Sequence, residues 1–499
     1  MKQSDFIALF EKELTGDLTV PLEETGIVIQ AGDTICRIYG LMNARYGELL
    51  QFEGGNQGIA LHLDEDYLIA FLLFSHIPIR EREQVKRTGG VFRIPVGPNV
   101  LGRILDARGI EIDGLGPIEP EAWHPIEARI PGIAERTPIN ESLETGITAI
   151  DALVPIGKGQ RELIIGNRAT GKTSIVIDTI LHQKNKHVIC IYVAIGQREA
   201  NVARIAHTLA SYGALEYTVI VNATASNPAL ENYLAPYTGC TIGEYFRSKG
   251  QDVLVIYDDL SNHAIAYREM SLLMRRAPGR EAYPGDVFYL HARLLERAGK
   301  LLSGGSLTAL PIVSIQNDDI TGYIPTNLIS ITDGQIFLDS SLFKNGIRPA
   351  VNVELSVSRV GSAAQTRAMK QVTRALRLEL AQYHELLGFS QFGTELDTIS
   401  QQRLARGALV VELLKQPEHT TYTFVDQVLM LLLLQEKFLD GIELKNAPEL
   451  ALRYVSYVTS VYPDIYNEIT ETKEIRPGVE VRLVEIAREF SKIVGIATK

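Results

Sequence analysis

Cysteine is scarce in this 499-residue chain. There are three, Cys36, Cys190 and Cys240, far apart and without metal-ligand spacing. That pattern argues against a zinc site or a disulfide scaffold and fits reduced thiols in a cytosolic compartment. A basic excess is missing as well. The 49 Lys+Arg face 60 Asp+Glu, so the net charge is −11, which excludes the chain-wide footprint of a nucleic-acid binder. Long apolar runs are also absent. The strongest, VLMLLLL from Val428 to Leu434, falls far short of the roughly 20 residues a membrane-spanning helix needs, and reads instead as bundle core. The opening MKQSDFIALFEKELTGD has internal acidic residues and no continuous apolar stretch. It reads neither as a signal peptide nor as an Arg- and Ser-rich transit peptide. A soluble chain is expected, with any membrane association made through partners. Low-complexity segments and short internal repeats are lacking too. The single tryptophan, Trp123, stands in a loop-like stretch before Pro125.

What is present is ordinary globular composition, 45% hydrophobic and 22% charged, at a length that implies about two to four domains. Ser4 and Asp5 can cap a short helix that Gly16 can stop. From Thr25 the runs GIVIQ, TICRIYGL, ELLQFE, IALHL and LIAFLLF alternate with glycine turns, the texture of a small β-barrel. With its arm it is assigned residues 1–80. The middle, 81–365, alternates continuous apolar runs (ELIIG, HVICIYVAIG, YTVIVNA, VLVIYDD, LTALPIVSI) with helical segments. Buried strands between helices imply an α/β core with a mostly parallel sheet. From 366 to 499 the pattern is helical. In QTRAMKQVTRALRLELAQYHELL, Met369, Val372, Leu376, Leu380 and Tyr383 step by three or four, as on one amphipathic helix. The expected whole is a multidomain α/β chain: N-terminal β-barrel, central nucleotide-binding domain, C-terminal α-helical bundle.

The chemistry lies in GNRATGKTS, Gly166 to Ser174. It fits the phosphate-loop pattern G-x-x-x-x-G-K-[ST], follows the strand-like ELII and opens the helix-compatible TSIVIDTILHQ. Backbone N–H groups from Asn167 through Arg168, Ala169 and Thr170 to Thr173 can turn toward phosphate oxygens at the helix N-terminus. Gly166 and Gly171 supply unusual backbone angles, Lys172 reaches the β- and γ-phosphates, and the Thr173 hydroxyl ligates Mg²⁺. In VLVIYDD a buried strand carries a carboxylate to its end, where ligands of open α/β sheets sit. Asp258 is the choice for the Mg²⁺ side, acting through water. Asp259 competes for that role but also fits a helix-capping one.

These motifs speak for binding of a nucleoside triphosphate with Mg²⁺. Hydrolysis needs a further group that orients or activates water. ATPases of this kind often place Glu at the end of the strand after the phosphate-loop helix. Here VICIYVAIGQRE puts Gln197 there. An amide cannot accept a proton as a carboxylate does, although Gln orients water in some GTPases. Glu199, two residues on, is expected to point elsewhere. His263 and His291 have no partner at metal spacing and read as packing or surface residues.

The chain resembles the alpha subunits of rotary F-type ATP synthases. The resemblance rests on VPIGKGQRELIIGNRATGKTS, IYVAIGQRE, VIYDDLSNHAIAYREMSLLMRRAPGREAYPGDVFYLHARLLERAGK, YIPTNLISITDGQIFLDSSLFKNGIRPAVNVELSVSRVGSAAQTRAMKQV and ELLKQ, and extends more weakly to both ends. It implies a β-barrel, a RecA-like P-loop domain and a helical bundle. It also implies a ring in which alpha subunits alternate with catalytic beta subunits, three of each, around a central-stalk gamma subunit. Such a headpiece is peripheral, on the cytoplasmic face of a bacterial inner membrane, and serves H⁺- or Na⁺-driven ATP synthesis and hydrolysis. Family alpha sites hold ATP or ADP with Mg²⁺ without turnover, and Gln197 matches the position where beta has Glu. Arg359, in SVSRVGSAAQ, matches the arginine that crosses into the neighbouring beta site. A guanidinium there suits developing γ-phosphoryl charge, and such fingers contribute roughly 10³–10⁵ in rate.

The resemblance further assigns Phe343, Arg348 and Gln416 to the adenine end of the site, and the RRAPGREAYPGD loop to the approach of the central stalk. Without it, Phe343 suits a core role equally. Arg168 is a phosphate-side contact. Several positions depart from the family pattern. Ala169 stands where the family usually has Gln. Glu418 stands at the second adenine-pocket glutamine. The HQKNKHVIC segment is short. The N-terminal arm, which in the family meets peripheral-stalk subunits, is truncated and divergent. Such drift suits a second, specialised bacterial synthase, with sodium as one option for its ion. Two rivals share the barrel and core. A self-sufficient hexameric export-type ATPase would need a catalytic Glu at Gln197. An RNA translocase resembling the Rho termination factor would need an aromatic, basic RNA-binding surface; the barrel has Tyr46, Phe52 and Tyr67 but many acidic residues, so no nucleic-acid partner is expected.

Overall fold

The computed structural model describes residues 24–32, 34–73, 78–390 and 397–494. The helix expected between Ser4 and Gly16 lies outside the described residues. Two compact units emerge, the first running to Arg93 and including Leu273–Arg275, the second comprising Ile94–Leu272 and the chain from Arg276 onward.

The first unit is a closed antiparallel barrel of six strands: β1 (Thr25–Ala31), β2 (Ile35–Tyr39), β3 (Glu48–Phe52), β4 (Gln57–Leu63), β5 (Tyr67–Leu73) and β6 (Gln84–Val91), in the order β1-β2-β5-β4-β3-β6. Val28, Ile38, Leu50, Phe52, Leu68 and Val85 fill its interior. The expected barrel end near residue 80 falls one strand short. β6 closes the barrel by pairing with both β1 and β3. Its sequence, QVKRTGGV, buries only Val85, so it carries no alternating apolar signal from which a strand could be read.

In the second unit, β7 (Arg93–Val96) pairs with β9 (Ala122–Pro125), which places the exposed Trp123 on a short strand rather than in a loop. The main sheet takes β8 (Ile104–Asp106), β10 (Leu163–Asn167), β11 (Val188–Gln197), β12 (Thr218–Thr224), β13 (Asp252–Asp258), β14 (Gly299–Lys300), β15 (Ser306–Ile315), β16 (Gly334–Leu338) and β17 (Val357–Ser358). The order is β17-β16-β10-β15-β13-β11-β12-β8, with β14 on β15. From β16 to β8 all neighbours run parallel; β17 and β14 are antiparallel. The helices of this layer are α1 (Thr148–Leu153), α2 (Lys172–His182), α3 (Glu199–Ser211), α4 (Ala229–Ser248), α5 (Leu260–Leu273), α6 (Val287–Leu295), α7 (Tyr323–Ile331) and α8 (Ser340–Lys344).

The C-terminal region is helical, as expected: α9 (Arg367–Thr373), α10 (Leu376–Ser390), α11 (Thr398–Leu414), α12 (Phe424–Gln435), α13 (Ala447–Val461), α14 (Pro463–Thr472) and α15 (Pro477–Val494). The stretch expected as one amphipathic helix from Gln365 is two helices. The Thr366 side chain caps α9 by accepting from Met369 N at 3.3 Å, and a break falls before Leu376. Met369, Val372, Leu376 and Leu380 stay buried across the break, which is why periodicity alone did not reveal it. Every residue of VLMLLLL is buried inside α12. One apolar core runs from Leu143 to Phe490. Packing therefore crosses the border expected at 365 without a gap.

Helix α4 lies on β11 and β13, and Gly239 permits the close approach. A Cβ there would meet Val193 Cγ2 at 2.3 Å. The neighbour is a β-branched side chain inside a buried strand, which has little room to yield. Gly239→Ala is expected to destabilise the chain by about 1–3 kcal/mol, read as a lower urea midpoint at unchanged slope.

Candidate functional site

Strand β10 ends the buried run Leu163–Gly166 at the half-buried Asn167, and α2 begins at Lys172. Between them the loop turns on Ala169 (φ 60) and Gly171 (φ 94), both left-handed. Gly171 adopts this freely. Ala169 does so at a steric cost of about 1–2 kcal/mol. The Thr170 hydroxyl donates to Asn167 O at 2.8 Å, and Asn167 Nδ2 donates to Ser340 Oγ at 2.7 Å, fixing the loop to α8. At Gly166 an added Cβ would meet Leu338 O at 2.8 Å, so the backbone is packed directly on the neighbouring strand. Arg168 is exposed at the loop tip.

Lys172 is buried, and its Nζ donates to Gly166 O at 2.8 Å and Asn167 O at 2.5 Å. Burial lowers its pKa to about 8, against the opposing pull of Asp259 and Asp258. An ammonium held this way inside a loop of backbone N–H groups is a receptor for an anion.

Asp258, at the end of β13, gathers the rest. Its Oδ2 accepts from Thr173 Oγ1 at 3.0 Å and from the Tyr192 hydroxyl at 2.6 Å, and its Oδ1 accepts from Gln197 Nε2 at 3.1 Å. Burial raises its pKa to about 6, and the nearby Asp259 adds to this, while the Tyr192 and Thr173 hydroxyls oppose it. Asp259 has the other duty weighed for it. It accepts from Asn262 N at 3.0 Å, capping α5, and from Ser314 Oγ at 2.8 Å.

Gln197 reaches Asp258 because β11 bulges between Ile195 and Gln197, at Gly196. Glu199 is the first residue of α3 and exposed, so it complements the helix dipole instead of facing the loop. Tyr192 was missed in the sequence. Its one signal there was a phenol inside a continuous apolar strand, where a buried hydroxyl needs a partner. His263 and His291 are both fully buried, with ring centroids 5.3 Å apart in a tyrosine-lined cluster, which makes them packing residues.

A cleft leads away from the phosphate loop. Thr170, Gly171, Ser174, Ile175 and Asp178 line one side, and Phe343, Arg348, Pro349, Gln416, Pro417 and Glu418 the other. The Arg348 guanidinium lies 4.5 Å from the centre of the Phe343 ring. The Gln416 amide is fully engaged: Nε2 donates to Gly146 O at 2.7 Å and Thr420 O at 2.5 Å, and Oε1 accepts from Thr148 N at 3.1 Å. Glu418 Oε1 accepts from Ser174 Oγ at 2.9 Å.

Arg359 stands apart from all of these. β17 pairs with the beginning of β16 (Ser358 with Gly334), and β16 runs parallel to β10 (Gln335 with Leu163). Arg359 thus lies where the parallel strands start, and the phosphate loop follows where they end. Along β10 alone that is about 13 Å. The side chain is exposed, with Nη1 donating to Thr332 O at 3.2 Å and the amide to Asp333 O at 2.8 Å.

The donor set fits a nucleotide with a divalent cation. Among the described residues no three His, Cys, Asp or Glu gather as a metal site. The Thr173 hydroxyl and the Asp258 side are what the protein would offer Mg²⁺, which takes phosphate and water for its remaining ligands.

A phosphate loop on a parallel sheet, with a strand-end aspartate and a cleft beside it, defines a P-loop nucleotide-binding protein. Family comparison narrows this. Residues 22–89 match the beta-barrel domain of the ATP synthase alpha/beta family, 146–358 its nucleotide-binding domain and 365–490 its C-terminal domain. The chain belongs to the ATP synthase alpha/beta family. It is 52% identical over 487 residues to the ATP synthase subunit alpha of Caldanaerobacter subterraneus subsp. tengcongensis, covering 97% of this chain and 96% of that one. It is 50% identical over 497 residues to that of Clostridium botulinum strain Eklund 17B, covering 99% of each, and 52% identical over 474 residues to that of Aquifex aeolicus, covering 94% of each. No described helix is long and apolar enough to cross a membrane.

The raised pKa of Asp258 has a consequence for stability. A carboxyl that is harder to ionise when folded costs nothing below about pH 4, where both states are protonated. It destabilises the fold increasingly as pH rises from about 4 to about 6. Asp258→Asn keeps an acceptor for Thr173 and Tyr192, and the Gln197 amide can turn to present its oxygen. Urea unfolding without nucleotide should find this variant more stable than the parent at pH 7.5, by on the order of a few kcal/mol. The advantage should vanish near pH 4.

Proposed function

We propose that this chain is the nucleotide-holding, non-catalytic, regulatory alpha-type subunit of an ion-translocating rotary ATP synthase. It binds ATP or ADP with Mg²⁺ in its own site and lends Arg359 to the catalytic site of an adjacent beta subunit. The observation that carries this reading is Gln197. Its amide is hydrogen-bonded to Asp258 at 3.1 Å, in the place where a water-activating carboxylate would be needed. An amide neither accepts nor stores a proton at neutral pH.

In this reading Lys172 and the loop N–H groups neutralise the phosphates, and Thr173 and Asp258 hold the Mg²⁺ side, Asp258 through water. Bound Mg²⁺ supplies charge neutralisation between phosphate oxygens. Arg168 adds charge at the loop tip. Phe343, Arg348 and Gln416 shape the far end of the cleft. Without a base, the site retains its nucleotide and does not cleave it. The exposure of Arg359 and its place at the opposite end of the sheet support action in trans. The implied partners are beta subunits in an alternating three-plus-three ring, a central-stalk gamma subunit and peripheral-stalk subunits. The complex sits on the cytoplasmic face of a bacterial inner membrane, and the membrane is met only through the ion-translocating sector.

The purified chain should bind Mg·ATP in a Lys172-dependent manner without turnover, over a range of protein concentrations that allows self-assembly. Lys172-dependent hydrolysis that rises with concentration would instead support the export-type hexameric ATPase. In the reconstituted complex, Arg359→Ala should leave assembly and binding near normal and lower turnover by roughly 10³–10⁵. Undiminished turnover would remove Arg359 from the catalytic role.

A further inference from the structure

The cleft beside the phosphate loop fixes where the base of a bound nucleotide can go, and its polar groups fix what that base can bond to. The cleft opens from Thr170 and Gly171 of the phosphate loop and is walled by Ser174, Phe343, Arg348 and Glu418, with Glu418 bonded to Ser174 on the first turn of α2. A nucleotide with its phosphates in the loop therefore lies against these side chains. The side chains there differ in what they have left to offer. Gln416 has both ends of its amide occupied by Gly146, Thr420 and Thr148. Asp178 is committed to His419, whose N and Nδ1 lie 3.0 and 3.1 Å from its Oδ1. The Arg348 guanidinium is stacked over Phe343 at 4.5 Å. Glu418 is exposed, and the one hydrogen bond described for it is from Ser174 at 2.9 Å. Its carboxylate is an acceptor with capacity left, whereas the stacked Arg348 guanidinium, for which no side-chain hydrogen bond is described, offers donors only.

An ionised carboxylate only accepts hydrogen bonds. The Watson–Crick edge of guanine offers it two adjacent donors, N1–H and N2–H, which match two carboxylate oxygens in a charge-assisted, bidentate pair. Adenine offers one donor, N6–H, beside the N1 lone pair, which a carboxylate repels. We propose that Glu418 makes this site accept guanine nucleotides, with Glu418 the residue that sets the preference between purines. The inference rests on the nucleotide-holding reading and deepens it, naming the ligand class of that site.

The test measures equilibrium binding of Mg·GTP, Mg·ITP and Mg·ATP to the full chain at pH 7.5, with Lys172→Ala as the control. The parent should bind GTP at least as tightly as ATP. ITP keeps the N1–H but lacks the 2-amino group, so it should bind more weakly than GTP, which probes the pairing without altering the protein. Glu418→Gln, whose amide can both donate and accept, should shift the GTP-to-ATP affinity ratio toward ATP by about tenfold or more, in line with the discrimination a bidentate pair gives. A parent that prefers ATP, with GTP equal to ITP and a ratio unmoved in Glu418→Gln, overturns the proposal while leaving nucleotide holding intact. Absence of any Lys172-dependent binding defeats both.

Discussion

Everything in the site turns on one buried carboxylate. Asp258 is carried to the end of a central parallel strand and receives a threonine hydroxyl from the phosphate-loop helix, a tyrosine hydroxyl from β11 and an amide from the β11 bulge. The consecutive elements α2 and β11 are thereby tied to the distant β13 at one oxygen pair. The arrangement is costly for the folded chain alone, since burial opposes ionisation of Asp258 and lowers the basicity of Lys172. A carboxylate and an ammonium buried within one site, with no direct bond between them described, make a poor structural pair. They make a good receptor for a phosphate–cation unit that satisfies both.

On the proposed reading, the same sheet separates two duties. The loop, Lys172 and Asp258 occupy the end where the parallel strands finish. Arg359 leaves from β17, beside the beginning of β16, in a segment braced by the Arg161 fork on Asp333. Sheet geometry alone prevents Arg359 from serving the phosphate loop of its own chain. On the proposed reading, an exposed arginine on a braced segment is presented to a neighbouring subunit, which is the physical content of a subunit that holds one nucleotide and assists at another. This follows from parallel-strand polarity and needs no appeal to flexibility.

Much of this was legible in sequence because the decisive signals were local. The loop GNRATGKTS, the strand VLVIYDD and Gln197 at the end of its strand each sit within one short run. So did five barrel strands and the helical character of the C-terminal region. What escaped was non-local or silent. β6 is polar with two glycines, and only closure against β1 and β3 makes it a strand. The break before Leu376 keeps the buried face in phase, so periodicity passes over it. Tyr192 gains its role from the neighbouring strand, through a register that sets Ala194 opposite Asp258. The full engagement of Gln416 depends on Gly146 and Thr148, some 270 residues earlier, a relation no spacing rule contains.

On the proposed reading, the cleft also explains how a nucleotide that is not cleaved can matter. Its walls come from the phosphate-loop helix, from the Phe343–Pro349 segment and from Gln416–Glu418, which follows helix α11. Gln416 bonds Gly146 and Thr148, Glu418 bonds Ser174, and His419 bonds Asp178. The α/β layer and the helical region are thus stitched together along the rim of the cleft, above the apolar core they share. A ligand that binds only the folded chain stabilises it by mass action. One seated here would do so at the seam, offsetting the buried charges while holding the two layers in register. On the proposed reading, retention is then the useful property. Turnover would release the ligand from the seam each cycle, whereas an amide at Gln197 keeps it in place while the arginine on the far edge of the sheet serves the neighbouring subunit.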